Sequence, residues 1–306
     1  MIRLVLSEFL RIRSRRLVWV LAMLIVLGVV VGSAIAAANS HPPTAADLAQ
    51  AHANYLSERA SCIAGDFHMP SAMLGGNTLR QWCDENLREA DFAPGDEFVL
   101  STLPGILKGT SFLLIVMGLV IGSSSVGADW QSGSMSTLLT WEPRRLRVLA
   151  VRIVVVTAAV FFLAIALQAL LSLALAAVAA TRGDTTGLGG TWLQDLALVI
   201  ARIGAMAVFG AVVGLSVSMI GRATAASLGV VFVYLAVVEN LLREHVPGIA
   251  PWLLSTNSVV FVSGDPLIGG PETDAFSVAH AVAVMTIYAA VLVAVAAALF
   301  RSRDVE

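Results

Sequence analysis

The sequence predicts an all-α polytopic membrane protein with six transmembrane helices. Three observations carry that fold class. First, 58 % of the 306 residues are hydrophobic and only 13 % are charged, and the mean hydropathy is +0.84. A soluble domain is roughly 45–50 % apolar, so one aqueous core would not hide this much apolar surface. Second, six apolar runs reach the length of about 20 residues that a helix needs to cross a bilayer. Third, arginines cluster at one end of these runs and carboxylates at the other.

The runs fall at about Leu17–Ala38, Leu103–Val126, Val148–Ala180, Trp192–Ile220, Ala223–Leu242 and Val278–Phe300. The third and fourth exceed what a bilayer requires, and tilt, a kink or an interfacial end absorbs the excess. Arg3, Arg11, Arg13, Arg15 and Arg16 precede the first run. Arg144, Arg145 and Arg147 lie between the second and third, Arg222 between the fourth and fifth, and Arg301 and Arg303 after the sixth. In a six-span chain all of these share one side, and positive flanks mark the cytoplasmic side. Both termini are therefore placed in the cytoplasm. Every basic residue but Lys108 is an arginine, which with the abundant alanine points to a high-GC, actinobacterial genome.

Before the first span, Ile2, Val5, Leu6, Phe9, Leu10 and Ile12 share one arc at 100° per residue, with Arg3, Ser7, Glu8 and Arg11 opposite. Residues 1–16 thus read as an amphipathic helix lying in the interface, with a turn near Arg13–Arg16. A plain positive flank for the first span fits the same residues. So does a cleaved signal peptide ending in "SAIAAANS", although the apolar run is long for one.

Residues 17–306 form the six-span domain, with an acidic insertion at 39–102 on the outer side. "SHPP" at Ser40–Pro43 stops any helix, and a new one starts from a Thr44 cap. The chain's two cysteines, Cys62 and Cys83, both fall here. An oxidising outer face favours a disulfide between them. The alternative is a metal site built with His52 and His68, for which no close ligand pair exists. Between the fifth and sixth spans, Pro247, Pro251, Pro266 and Pro271 interrupt an apolar segment. It reads as a broken outer segment with a short re-entrant helix near Ala250–Val260.

No GxxxxGK[ST], HExxH, GxSxG or GxGxxG occurs, so no phosphate-cradling loop or hydrolase motif argues for an enzyme. The two halves do not match in loop pattern, which counts against an inverted-repeat secondary carrier. A non-transporting sensor or assembly factor acting through 39–102 is the other alternative. Inside the spans, Arg202, Gln168, Glu239 and Asn240 are candidate pathway residues, because polar groups there are functional by default. For Arg202 a structural pair with Glu239 is the competing reading, and Lys108 snorkels.

The polar stretch "ADWQSGSMSTLLTWEPRRLRV" separates spans two and three. Asp129 is placed to cap a short helix, and Trp130 suits the interface. Gly133 and Ser134 leave room for another backbone. Pro143 ends the helix, and Arg144, Arg145 and Arg147 anchor the chain at the headgroups. A plain interfacial loop fits the same composition.

These residues carry a resemblance. An acid, then three residues, Gly and Ser; about nine residues on, Pro-x-Arg; then a basic residue early in the next span: here Asp129, Gly133, Ser134, Pro143, Arg145 and Arg152. That order is similar to the membrane (permease) subunit of type-2 ABC exporters, in which Glu often stands at the position of Asp129 and Lys at that of Arg152. "LSEFLRIRSRRLVWVLAMLIV" resembles the family's elbow helix entering the first span. "YLAVVENLLREHVPGIAPWLLSTNSVV" resembles its fifth span and broken outer segment. The likeness covers most of the chain except 39–102, which is larger than usual.

The resemblance implies a coupling helix between spans two and three that docks on a separate ATP-binding cassette subunit. Two such ATPase subunits would serve two membrane subunits, identical or homologous. ATP and Mg would be bound by the ATPase and no cofactor by this chain. Asp129 and Trp130 would hold the helix, Gly133 and Ser134 would form the docking surface, and Arg144 and Arg145 would anchor its end. The cargo would be amphipathic or apolar: a drug-like compound, a lipid or a peptide. Membrane lipid is the further partner, and nucleic acid is not one.

Overall fold

The computed structural model describes residues 2–41, 44–64, 78–87, 92, 98–141, 144–185, 188–264 and 277–302. Helices dominate: α1 (Ile2–Ser14), α2 (Arg16–Asn39), α3 (Ala45–Ala64), α4 (Leu79–Asn86), α5 (Leu103–Gln131), α6 (Ser134–Trp141), α7 (Arg145–Arg182), α8 (Trp192–Gly221), α9 (Thr224–Val233), α10 (Glu239–His245), α11 (Leu254–Ser263) and α12 (Val278–Ser302). A π turn at Tyr234–Val238 joins α9 to α10, so together they make one span. Among the described residues, six helical stretches are long and apolar enough to cross a membrane: α2, α5, α7, α8, α9 through α10, and α12. The multi-pass architecture is therefore the one expected. Span three is longer than the apolar run alone, because Arg145 and Arg147 join its first turn.

The chain divides into two compact units. One comprises 1–29, 102–172 and 189–306; the other comprises 30–101 and 173–188.

The first unit is built around the pairing of α5 with α8. Gly118 and Gly122 of α5 lie against the backbone of Ala207 and Ala211 on α8, while Gly210 and Gly214 of α8 lie against the backbone of Ile115 and Leu119 on α5. The match is reciprocal: each helix offers a G-x-x-x-G face, "GLVIG" and "GAVVG". Apolar burial between helices gains little in lipid, so close backbone approach through small residues drives such packing. Buried serines extend the seam to α9. Ser218 Oγ donates to the Ser123 carbonyl (2.9 Å), Ser123 Oγ and Ser227 Oγ share a hydrogen bond (3.0 Å), and Ser227 Oγ donates to the Gly214 carbonyl (3.0 Å).

Helices α1 and α2 are separate elements. Arg15 is the non-helical residue between them, and Trp19 Nε1 closes the joint by donating to the Arg13 carbonyl (2.8 Å). At the other end of the bundle, α11 starts after a 3₁₀ turn at Ala250–Trp252. It is the short helix expected within the broken segment, shifted a few residues along.

The second unit is fastened by a disulfide between Cys62 of α3 and Cys83 of α4, with a Cα–Cα distance of 6.2 Å. Both sulfurs are thereby consumed, which overturns the alternative of a metal site on these cysteines; His68 lies outside the described residues. Arg59 and Asp84 pair beside the bridge. Thr44 caps α3, donating to and accepting from the first turn, and its hydroxyl and N–H hold the Asp47 carboxyl below its ordinary range. Thr78 and Gln81 form a full capping box on α4. Ser40 accepts from the Phe98 N–H (3.0 Å) and donates to the Arg182 carbonyl (2.7 Å). A parallel bridge pairs Val99 with Asp184.

Three outcomes test this account. Gly122→Ala places a methyl group on the Ala211 carbonyl and should cost about 1–3 kcal/mol, read as a lower unfolding temperature in detergent. Gly109→Ala, on the same helix with open space at its Cβ, should leave stability unchanged or raise it by up to about 1 kcal/mol. Cys62→Ser opens a loop of 21 residues and should cost the second unit about 3 kcal/mol, read as faster proteolysis within 39–102.

Candidate functional site

Five charged side chains meet where α1, α5 and α7 converge. Asp129 and Arg152 are buried, at 6 % and 1 % exposure, and Glu8 is buried at 4 %. Asp129 takes a contact on each side: Oδ1 from Arg15 at 2.8 Å, Oδ2 from Arg152 at 2.8 Å and from Arg11 at 3.1 Å. Glu8 Oε1 pairs with Arg152 (3.2 Å) and Arg11 (3.4 Å). Three guanidiniums face two carboxylates. The surplus positive charge points at the C-terminal part of α5, where Arg15 donates to the carbonyls of Ser124 (2.6 Å) and Ser125 (3.3 Å) and Arg152 to that of Ser125 (3.3 Å). That helix end is negative by its dipole. It would repel Asp129 without the arginines.

The local sequence explains each position. Glu8, Arg11 and Arg15 are spaced at three and four residues, so they project from one side of α1 and its exit. On α1, Val5, Leu6, Phe9 and Leu10 remain exposed. Arg152 stands at the second turn of α7 and Asp129 at the last turn of α5. The expected capping role of Asp129 is therefore corrected: it lies inside α5, and its carboxylate is consumed by three arginines and is not offered to a following helix.

The following turn is made by Gly133, which ends α5 with a φ of 68°. This is the left-handed C′ position where glycine is favoured. Gly133 is thus a conformational requirement, and within this chain open space surrounds its Cβ position. Ser132 and Ser134 hydroxyls both donate to the Asp129 carbonyl, tying the start of α6 to the end of α5. Pro143 lies outside the described residues.

Trp130 forms a second anchor. The Arg222 guanidinium sits over its indole ring at 4.6 Å, and Phe300 of α12 meets it edge-on at 6.4 Å. Arg222 adopts a left-handed φ of 55° at the end of α8, a strain that a cation–π contact helps to offset. Arg145 Nη1 donates to the Phe300 carbonyl (3.2 Å). The root of α6 is therefore fastened to α1, α7, α8 and α12. The exposed side chains of α6 include Thr137 and Thr140.

A family model described as "ABC-2 family transporter protein" matches residues 2–305. The chain belongs to the ABC-2 transporter family. It is a multi-pass permease subunit, and the family generally works with an ATPase subunit. No curated protein shows significant similarity to it.

The intramembrane candidates of this permease each make their own contacts. Glu239, buried at 2 % exposure, accepts from the N–H groups of Leu254 (2.7 Å) and Ser255 (3.1 Å). It thus caps α11, and the considered pair with Arg202 is not formed. The Arg202 guanidinium lies against Gly264, at the end of α11. Gln168 Nε2 donates to Thr110 Oγ1 (3.2 Å), joining α7 to α5. Asn240 is exposed and donates to the Ala236 carbonyl (2.9 Å) in the π turn.

Sequence reasoning named Asp129 and Arg152 but not their partners Glu8, Arg11 and Arg15. The available signal was a buried-type spacing of charge on one face of an otherwise lipid-suited helix.

Arg152→Leu removes the buried guanidinium that two buried carboxylates share and should cost about 3–5 kcal/mol. Glu8→Gln with Asp129→Asn should lose less together than the sum of the single changes, because both act on Arg152. Thermal unfolding of these four variants and the wild type in detergent checks both statements.

Proposed function

We propose that this permease is the membrane subunit of an ATP-driven exporter and that α6 is the coupling helix on which a separate ATPase subunit docks. The observation that carries this reading is the anchoring of α6. It follows a glycine turn, and the charge cluster and Trp130 fix its root to α1, α7, α8 and α12, while Thr137 and Thr140 stay exposed. A helix held this way at its root transmits a push instead of yielding to it.

ATP and Mg belong to the partner on this reading, in keeping with the missing phosphate loop in the chain. The protein lies in the plasma membrane. The arginine-rich end with α1, α6 and both termini is cytoplasmic, and the acidic segment 39–102 is outside, where a disulfide is stable. The assembly has two membrane chains, identical or homologous, and two ATPase chains. The cargo is amphipathic or apolar, in keeping with the scarcity of charge inside the spans, where the polar candidates are already occupied by packing and capping.

The test is recovery of the partner from native membranes in mild detergent. Tagged wild type should bring down an ATP-binding subunit. Thr137→Trp and Thr140→Trp, which enlarge exposed positions of α6, should recover much less of it at equal membrane levels. An absence of ATPase with wild type, under conditions that keep a known exporter intact, would contradict the reading and favour a secondary carrier or a sensor.

A further inference from the structure

A cavity of about 190 Å³ lies between α8, α9, the π turn, α11 and α12, lined in part by Phe209, Val213, Val230, Tyr234, Leu254 and Tyr288. Among the described residues no polar atom faces it. Two of its walls are tyrosines, yet their hydroxyls are turned to each other (3.4 Å), and Tyr288 donates onward to the Trp252 carbonyl (3.2 Å). What remains toward the cavity is the ring surface of Phe209, Tyr234 and Tyr288. Leu254 contributes the wall from α11, and its N–H is one that Glu239 accepts (2.7 Å), so the broken outer segment is part of the enclosure. Val230 lines the cavity and is 58 % exposed, so the opening faces outward from span five, toward lipid. Water gains little from such a lining, because it needs about two to four polar partners. An apolar cavity of about 150 Å³ is enough for one benzene ring.

We propose that this cavity binds an aromatic ring of a neutral, membrane-dissolved molecule, which enters from the bilayer past Val230. That this molecule is the cargo rests on the export reading above; the binding itself does not. A charged group is excluded, because no polar atom of the lining would replace its solvation. A ring is favoured over an acyl chain by the surrounding solvent. A molecule already in lipid gains no hydrophobic free energy by moving against protein, so only contacts better than those of lipid tails hold it there. The three rings of the lining provide such contacts, since offset or edge-on aromatic pairs are worth more than the area they bury. Size agrees: the volume takes one ring but only a short piece of a phospholipid tail.

The test uses the full chain in lipid nanodiscs and a photoreactive phenyl-trifluoromethyl-diazirine, with labelled residues read by mass spectrometry. Labelling of Val213 and Leu254 should saturate with probe. Toluene should suppress it about tenfold more effectively than hexane at equal concentration in the bilayer. Val213→Phe fills the cavity and should abolish the saturable labelling of Leu254. Because Val213 is buried, Val230→Phe at the exposed mouth is the second variant and should reduce that labelling severalfold. Phe209→Leu removes one ring and should weaken suppression by toluene about fivefold while leaving that by hexane unchanged. Labelling that rises without saturation, as expected at exposed Phe162, or that is unchanged in both valine variants, overturns the proposal. Equal suppression by hexane overturns it in favour of a lipid tail. Saturable, toluene-selective labelling in a chain that recovers no ATPase would refute export and leave the ring site standing.

Discussion

The carboxylate of Asp129, held among three arginines, is the contact on which the rest of this permease depends. It sits at the last turn of α5, where the helix dipole disfavours an anion, and it is nearly removed from solvent. Such a group persists only with partners. Arg15 supplies one from the joint before the first span, Arg11 a second from α1, and Arg152 a third from α7. Glu8 then completes the arrangement by taking the other side of Arg152 and Arg11. Three elements distant in sequence are thereby locked at one level, and α6 begins five residues beyond Asp129.

This arrangement gives the α1 helix a mechanical meaning. An amphipathic helix bound only to headgroups would slide independently of the spans. Here Glu8 and Arg11 of its polar face are spent on the bundle, while Val5, Leu6, Phe9 and Leu10 stay exposed. A displacement of the root of α6 reaches α1 and α7 through ion pairs, and α12 through Trp130 and Phe300. The α5–α8 seam carries it onward, because glycines on both helices leave no side chains between the backbones to absorb the shift. At the far end, Glu239 clasps the start of α11 through two backbone N–H groups, just after a π turn. Turns of that kind are frequent at functional sites.

Much of the architecture was legible in the sequence. Hydropathy located all six spans, the arginines near 13–16 marked the break between α1 and α2, and Thr44 marked the start of α3. The short helix before Ser263 followed from the prolines that bracket it. The site was legible only in part. Asp129 and Arg152 stood out through a resemblance, but periodicity assigns a face and not a partner, so pairs such as Arg11 with Asp129, 118 residues apart, had no local signature. Asp129 was misread as a cap because Gly133 and the serines imitate a helix start. The π turn left no trace, since Tyr234–Val238 is uniformly apolar or aromatic. The G-x-x-x-G faces were in plain view and carried a physical reason for α5 to pair with α8.

The central claim is that α1, the end of α5 and α6 move as one body. Ser7 of α1 and Thr140 of α6 are both exposed, and the two native cysteines are bonded to each other, so spin labels can be placed at these positions alone. In the complex with its ATPase, the account predicts one narrow Ser7–Thr140 distance distribution that is unchanged between nucleotide-free and ATP-bound states and that broadens in Asp129→Asn. A distance that shifts with nucleotide in the otherwise unaltered chain would contradict it.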